Sequence, residues 1–321
     1  FLYHLSQATE LTTYVPEPDA GKAQELRQGL DTVGLYGPRV VVQSGTLTTL
    51  RFPPYFADLI ILGDGSTASR EGQAAEEVYR LVRPHGGKIY IPLDDPGSAV
   101  AGVTEWLKEG GVPAAEITQQ PDAILVSRGK LPRSDNWSHQ YGNPQRTGSS
   151  ADERVKLPLR LLWFGEPGPA TIVSRHWQGP APLCVDGRMI VTGQRHISVV
   201  DAYNGRVLWR REFPQAGRWS IPGKGSNVVA TADSVFLATK GQCARLAAGT
   251  GEDLNAYSIP DVPALPDDLR AALGTWCFLA ADGNQLFGSM GRSVSEGQCL
   301  FSLEQETGDL QWAYVASGPV P

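Results

Sequence analysis

Glu17 stands in "PEPD" directly after the strand-like run "ELTTYV". In an open α/β sheet, ligands gather beyond the carboxyl ends of the strands, and a carboxylate there can accept both hydroxyl hydrogens of a ribose. The second chemical feature is the turn "RPHGG", Arg83 to Gly87, between an amphipathic helix and a short β-branched strand. Its histidine, His85, reads as a structural loop residue. The cysteines Cys184, Cys243, Cys277 and Cys299 are far apart, with no C-x-x-C and no adjacent pair. They read as small buried apolar residues, with one disulfide as the competing reading. No acidic cluster suited to caging calcium occurs, so no metal site is expected.

Elements that would carry these residues follow from periodicity. "ELTTYV" and "RVVVQSG" read as strands, and "AGKAQELRQGLDTV" as a helix with Ala23, Leu26, Leu30 and Val33 on one face. "ADLIILG" reads as a buried strand, followed by a helix through Val78, Tyr79 and Val82, then the strand "KIYIPL" and the helix "VAGVTEWLKEG". "AEITQQPDAILVSRG" reads as two strands around a Pro-Asp turn. This alternation predicts a parallel sheet covered on both faces over residues 1–131. Residues 132–160, rich in Ser, Asn, Gly and Pro, read as an ordered connector.

After the connector the helix signal nearly vanishes, apart from "PDDLRAAL", and repetition replaces it. Three units carry turns at Asp186-Gly187, Asp233-Ser234 and Asp282-Gly283, and each ends in a tight turn before its last strand: Asn204-Gly205, Thr250-Gly251 and Thr307-Gly308. Four positions after those glycines stand Trp209, Asn255 and Trp312. Several short strands in each of a few such periods predict propeller blades, about three over residues 161–321. Trp209 and Trp312 are expected at equivalent buried positions, with Asn255 in the same place of the middle blade.

Composition excludes some partners. With 28 basic against 34 acidic residues and no basic run longer than a pair, no nucleic-acid partner is expected, because phosphate binding needs a concentrated basic face. The longest apolar run is too short to span a bilayer.

"LVRPHGGKIYI", with "ELTTYV" and its acid, resembles a class I S-adenosylmethionine-dependent methyltransferase, a Rossmann-like α/β fold, over roughly residues 1–129. On that order "ELTTYV" is the second strand and "KIYI" the fifth. The first strand, central in the sheet, and its glycine-rich loop would precede Phe1, leaving its neighbours with unpaired edges. The resemblance implies a cofactor site in which Glu17 binds the ribose, Thr46 stands where the family usually has an Asp for the adenine amino group, and Leu47 flanks the adenine. Gly63 and Asp64 would face the substrate, with Asp64 as candidate catalytic base.

"VVDAYNGRVLW" and "SLEQETGDLQW" resemble the pyrroloquinoline-quinone (PQQ)-type propeller repeat, whose tryptophans pack between blades. Trp163, in "LRLLWFG", would end a preceding blade. With the connector, the whole chain resembles a bacterial family of PQQ-like propeller repeat proteins with an embedded methyltransferase-like domain, whose members extend further at both ends. The resemblance implies a scaffold that binds other proteins through the propeller and carries a degenerate or cofactor-binding domain. An active methyltransferase of unknown acceptor and a PQQ-dependent dehydrogenase are the alternatives. PQQ is not expected to bind, because that family's quinone is held by a vicinal disulfide and a calcium ion. A periplasmic location would follow from the propeller family, a cytoplasmic one from active methyl transfer.

Overall fold

The computed structural model describes residues 1–63, 74–93, 96–165, 182–193, 195–213, 227–292 and 297–320. The chain forms two compact units, Phe1–Gly129 and Lys130–Pro321.

The first unit is α/β. Helix α1 (Leu2–Ala8) leads to β1 (Thr13–Glu17), α2 (Ala20–Thr32) and β2 (Val40–Ser44), and β1 pairs parallel with β2. Helix α2 starts where Asp19 accepts the Lys22 amide at 2.8 Å, the capping bond that satisfies a helix's orphan donors. Ala23 and Leu30 on its inner face bury against Val40 and Val42, whereas Val33, expected beside them, is 51% exposed. It is the C-cap residue, where the chain has left the helix.

Helix α3 (Leu47–Leu50) then precedes β3 (Leu59–Ile61), α4 (Ala75–Leu81), β4 (Lys88–Pro92), α5 (Pro96–Glu109), β5 (Ile117–Gln119) and β6 (Ala123–Ser127). These strands form a separate sheet ordered β3-β4-β6-β5. Its core is Val78, Val82, Ile89, Ile91, Leu107 and Ile124, with their neighbours. The expectation of a parallel sheet is corrected here: β3 and β4 are parallel, but β6 runs antiparallel to both β4 and β5. The short Pro-Asp turn between β5 and β6 is a hairpin connection, which only antiparallel neighbours allow. Nor is β3 buried, since Leu59 and Ile61 are 38% and 39% exposed. Among the described residues β1 and β3 each pair on one side alone, so each keeps an open edge.

Among the described residues the second unit holds three antiparallel four-stranded sheets. The first is β7 (Leu183–Val185), β8 (Arg188–Thr192), β9 (His196–Asp201) and β10 (Val207–Glu212). The second is β11 (Val228–Ala230), β12 (Ser234–Ala238), β13 (Gln242–Ala247) and β14 (Asp253–Ser258). After helix α6 (Asp267–Ala272) come β15 (Thr275–Asp282), β16 (Gln285–Gly291), β17 (Gly297–Glu304) and β18 (Leu310–Val320). Each sheet is an up-and-down meander in sequence order, the plan of a propeller blade.

The sheets pack face to face. On β12, Val235 and Leu237 bury with Leu183, Ile197 and Trp209 of the first sheet, while Phe236 and Ala238 bury with Trp276 and Phe301 of the third. Successive side chains of a strand point to opposite faces, so the unbroken apolar run "SVFLA" is what a sheet covered on both sides requires.

Residues 130–165, which include the predicted connector 132–160, hold no helix or strand, but the stretch is ordered against all three sheets. Trp137 exchanges backbone bonds with Cys184 next to β7's first residue at 2.7 and 2.9 Å, and the Ala230 amide of β11 donates to the Ser138 carbonyl at 3.0 Å. The Ala281 amide of β15 donates to His139 Nε2 at 3.0 Å. Three consecutive residues thus clasp the first strand of each successive sheet.

Candidate functional site

In the first unit, β1 and β2 bring two of the expected site segments together. Glu17 ends β1 opposite Ser44 of β2, and the Gly45 amide donates to the Glu17 carbonyl at 2.9 Å. The chain therefore turns into Thr46 and Leu47 beside Glu17. The φ of Gly45 is +144°, and a Cβ there would stand 2.8 Å from the Thr49 hydroxyl, so the turn needs glycine.

The Glu17 carboxylate accepts the Asp19 amide at 2.9 Å. A carboxylate offers about four acceptor positions, so capacity remains for further donors. Its side chain borders an open groove of about 900 Å³ whose wall includes Phe1, Leu2, Leu26 and Leu30. Thr46 is used structurally: it caps α3, its hydroxyl accepting the Thr49 amide at 3.2 Å while its own amide donates to the Thr49 hydroxyl at 2.8 Å. Leu47 packs against the larger core. Gly63 is exposed just beyond β3, in the other sheet, and Asp64 lies outside the described residues.

The Arg83–Gly87 turn is held from several sides. His85 and Gly86 adopt left-handed backbone with φ of 56° and 98°. Their amides donate to the Gly129 and Arg128 carbonyls at 3.1 and 2.7 Å. Arg83 pairs with Asp58 and donates to the His85 carbonyl at 2.9 Å. Nearby, Arg128 lies 4.1 Å over the Tyr79 ring, and Tyr79 donates to Glu116 at 2.8 Å. Burial and this carboxylate push the Tyr79 hydroxyl up to about 12. The cluster fixes the turn.

In the second unit one junction recurs. The Trp163 indole donates to the Ala202 carbonyl at 2.9 Å, and its ring lies on Gly205. The Trp209 indole donates to the Ala248 carbonyl at 3.0 Å, with its ring on Gly251, where a Cβ would come within 2.6 Å of it. Tyr257 donates to the Gln305 carbonyl, and its ring faces Gly308. Each time the carbonyl lies three residues before a glycine with φ between 75° and 79°, a conformation that suits glycine.

Asn255 does occupy the register position of Trp209, since both follow the bulge of a fourth strand. It holds a carbonyl, that of Glu306 at 3.1 Å, while the ring comes from Tyr257, two residues further on the same face. In the first sheet the corresponding residue is Arg211, which donates to the Gly251 carbonyl at 2.7 Å. Both positions of a fourth strand therefore reach the next sheet's turn. Trp312 departs from expectation: it is 44% exposed, not buried, because no further turn stands on its face among the described residues.

None of the four cysteines is in a disulfide, and Cys243, Cys277 and Cys299 are buried, which removes the disulfide alternative. Burial raises the Cys184, Cys243 and Cys299 thiols above their ordinary range, as apolar surroundings do to inert structural cysteines. Among the described residues no group of His, Cys, Asp and Glu could hold a metal ion, and no helix is long and apolar enough to cross a membrane.

No protein-family model and no curated protein matches the chain. Among solved structures it is similar to a quinohemoprotein alcohol dehydrogenase of Pseudomonas putida, at 16% identity and TM-score 0.32, over 44% of this chain and 27% of that one. It is similar to BamB of Moraxella catarrhalis at 14% identity and TM-score 0.28, over 40% and 37% of the two chains. A protein of Methanococcus maripaludis assigned as an S-adenosyl-L-methionine-dependent methyltransferase is 18% identical with TM-score 0.35, over 40% of this chain and 72% of that one. The chain thus spans well under half of the propeller proteins it resembles. The blade plan and the α/β character rest on the strand pairing and the repeated junction described above.

Proposed function

We propose that the chain is a propeller-type scaffold that binds other proteins and carries a methyltransferase-like α/β domain with a site for S-adenosylmethionine or its demethylated product. The observation that carries the scaffold part is the ring-on-glycine junction, repeated from Trp163 to the first sheet, Trp209 to the second and Tyr257 to the third. It joins the sheets into a rigid row that can carry partners.

Two features support the cofactor part. On the methyltransferase-like order, β1 and β2 would take the second and third places and β3 and β4 the fourth and fifth, and among the described residues β1 and β3 each pair on one side alone. Glu17 and the Thr46–Leu47 segment stand side by side at carboxyl strand ends, and the Glu17 carboxylate keeps acceptor positions for ribose hydroxyls. If the cofactor binds, Glu17 would hold the ribose and Leu47 would border the adenine, the bound molecule supplying an activated methyl group. PQQ is not expected to bind, since the resembling family holds it with a vicinal disulfide and no two cysteines here are adjacent.

Calorimetric titration with S-adenosylmethionine and with its demethylated product, on the protein with any residues that precede Phe1 included, tests the cofactor part. Hydrogen bonds to a charged group contribute about 1.5 to 3 kcal/mol, so Glu17→Ala is expected to weaken binding roughly ten- to a hundredfold. Absence of heat with the wild type would leave a scaffold without a cofactor. Equal affinity in both would move the ribose site away from Glu17.

A further inference from the structure

Three polar groups without a protein partner meet at one small cavity in the second unit. The cavity, about 10 Å³, lies between Gln140, Pro144 and Arg146 of the connector and residues 278–280 of β15. Gln140 Oε1 is buried and accepts no hydrogen bond. The Ala281 amide leaves its sheet to reach His139, and in an antiparallel pair the amides that point away from the neighbouring strand recur at every second residue. Leu279, opposite Gly288 as Ala281 is opposite Leu286, therefore turns its amide to the same open edge. It is 2% exposed, and among the described residues that amide has no acceptor, a rare condition for a buried N–H. The third group is the half-buried Arg146 guanidinium. It lies 5.1 Å from the centre of the Tyr141 ring and 5.9 Å from that of Phe278, and among the described residues it makes no hydrogen bond or ion pair. Its loop is locked: Asn143 and Thr147 exchange hydrogen bonds at 2.9 and 3.2 Å. Tyr141 and Arg146 hold left-handed φ of 68° and 55°, which such residues keep only where their surroundings impose it.

From this convergence we infer that the cavity is a binding site for a carboxylate group. A guanidinium and a planar pair of oxygens match in shape and charge, and the cavity has room for one atom the size of a water. One carboxylate oxygen enters it and accepts the Leu279 amide. The Gln140 amide, turned about its last bond to present Nε2, donates to the same oxygen, while the second oxygen stays at the mouth on Arg146. The rest of the ligand remains outside. His139 takes no part, because its Nε2 is already used by Ala281. Asp282, which acts on the His139 ring, forms no ion pair with Arg146 among the described residues, so the guanidinium's charge is left to the ligand. The carboxylate belongs either to a free short acid or to the C-terminus of a partner protein. This site is separate from the cofactor groove, and the inference does not rest on the scaffold reading.

The test is nuclear magnetic resonance on the whole chain with isotopically labelled arginine, in which the Arg146 Nε–H signal is the one missing from Arg146→Lys. Sodium acetate, exchanged for sodium chloride at constant ionic strength, is expected to shift that signal to saturation. Gln140→Leu removes an unpaired buried polar atom, so it is expected to melt no lower than the wild type. It is also expected to bind acetate roughly tenfold or more weakly, because a hydrogen bond to a charged group is lost. No saturable shift, the same shift from chloride alone, or equal acetate binding by Gln140→Leu would overturn the inference. Acetyl-triglycine, as the free acid and as its amide, separates the sources. Tighter binding of the free acid than of acetate assigns the C-terminus of a partner protein, and weaker binding assigns a free short acid. Equal binding of the amide and the acid would overturn the inference too, since no carboxylate would then be read.

Discussion

At Gly251 the junction depends on one missing methyl group. The residue has φ of 75°, and a Cβ would come within 2.6 Å of the Trp209 ring. Left-handed backbone and overpacking each cost about 1 to 3 kcal/mol for a β-branched residue. Gly251→Val is therefore expected to destabilise by about 2 to 6 kcal/mol, read as a lower urea midpoint; an unchanged midpoint would mean that the ring does not sit there. Trp209 and Trp312 form a natural comparison, each four residues after a turn glycine but 7% and 44% exposed. Truncating the buried ring is expected to cost about 3 to 5 kcal/mol. Trp312→Ala is expected to cost well under half of that, since much of its surface is already in water, and equal losses would contradict the assigned exposure.

At the scale of elements, the sequence was most legible where it repeats. The glycine turns and alternating apolar residues located three blades because they act locally. What it hid depends on distant partners. Tyr257 could have been found as an aromatic two residues beyond Asn255 on the same strand face, but only its distance from Gln305 reveals its work. The exposure of β3 was not legible in "ADLIILG", because burial depends on whether a neighbouring strand is present. Nor did "DNWSHQYG" carry any period to show that Trp137, Ser138 and His139 clasp three sheets.

That clasp is sensitive to acid. His139 is 4% exposed, and its Nε2 must be unprotonated to accept the Ala281 amide, so Nδ1 carries the proton toward the Ser138 hydroxyl at 2.8 Å. Burial lowers its pKa from 6.5 to about 4, with Asp282 opposing in part, and Arg146 shares the small cavity beside it. The unfolded imidazole takes up its proton first as pH falls. Stability contributed by this group is thus full above about pH 6.5, declines between 6.5 and 4 and is flat below, a loss of about 3 kcal/mol in all. His139→Gln is expected to lose this slope when urea midpoints are compared from pH 7 to 4. Parallel slopes in the two proteins would contradict the clasp.

At the scale of the whole molecule, each unit has its own source of stability. The first unit divides its apolar interior between a smaller core under β1 and β2 and a larger one around β4, so its two part-sheets each rest on their own packing. In the second unit the cores lie between the sheets, one shared by the first and second and one by the second and third. Such a row behaves as nearest-neighbour units, whose stability is the sum of the sheets and their interfaces. The proposed scaffold role depends on this coupling, since sheets that part from one another could not hold a partner in place. Hydrogen exchange measured by mass spectrometry on the wild type and Trp209→Ala tests it most directly. Loss of protection in β11–β14 as well as in β7–β10 is the predicted result; loss confined to β7–β10, the sheet that carries the substitution, would contradict it.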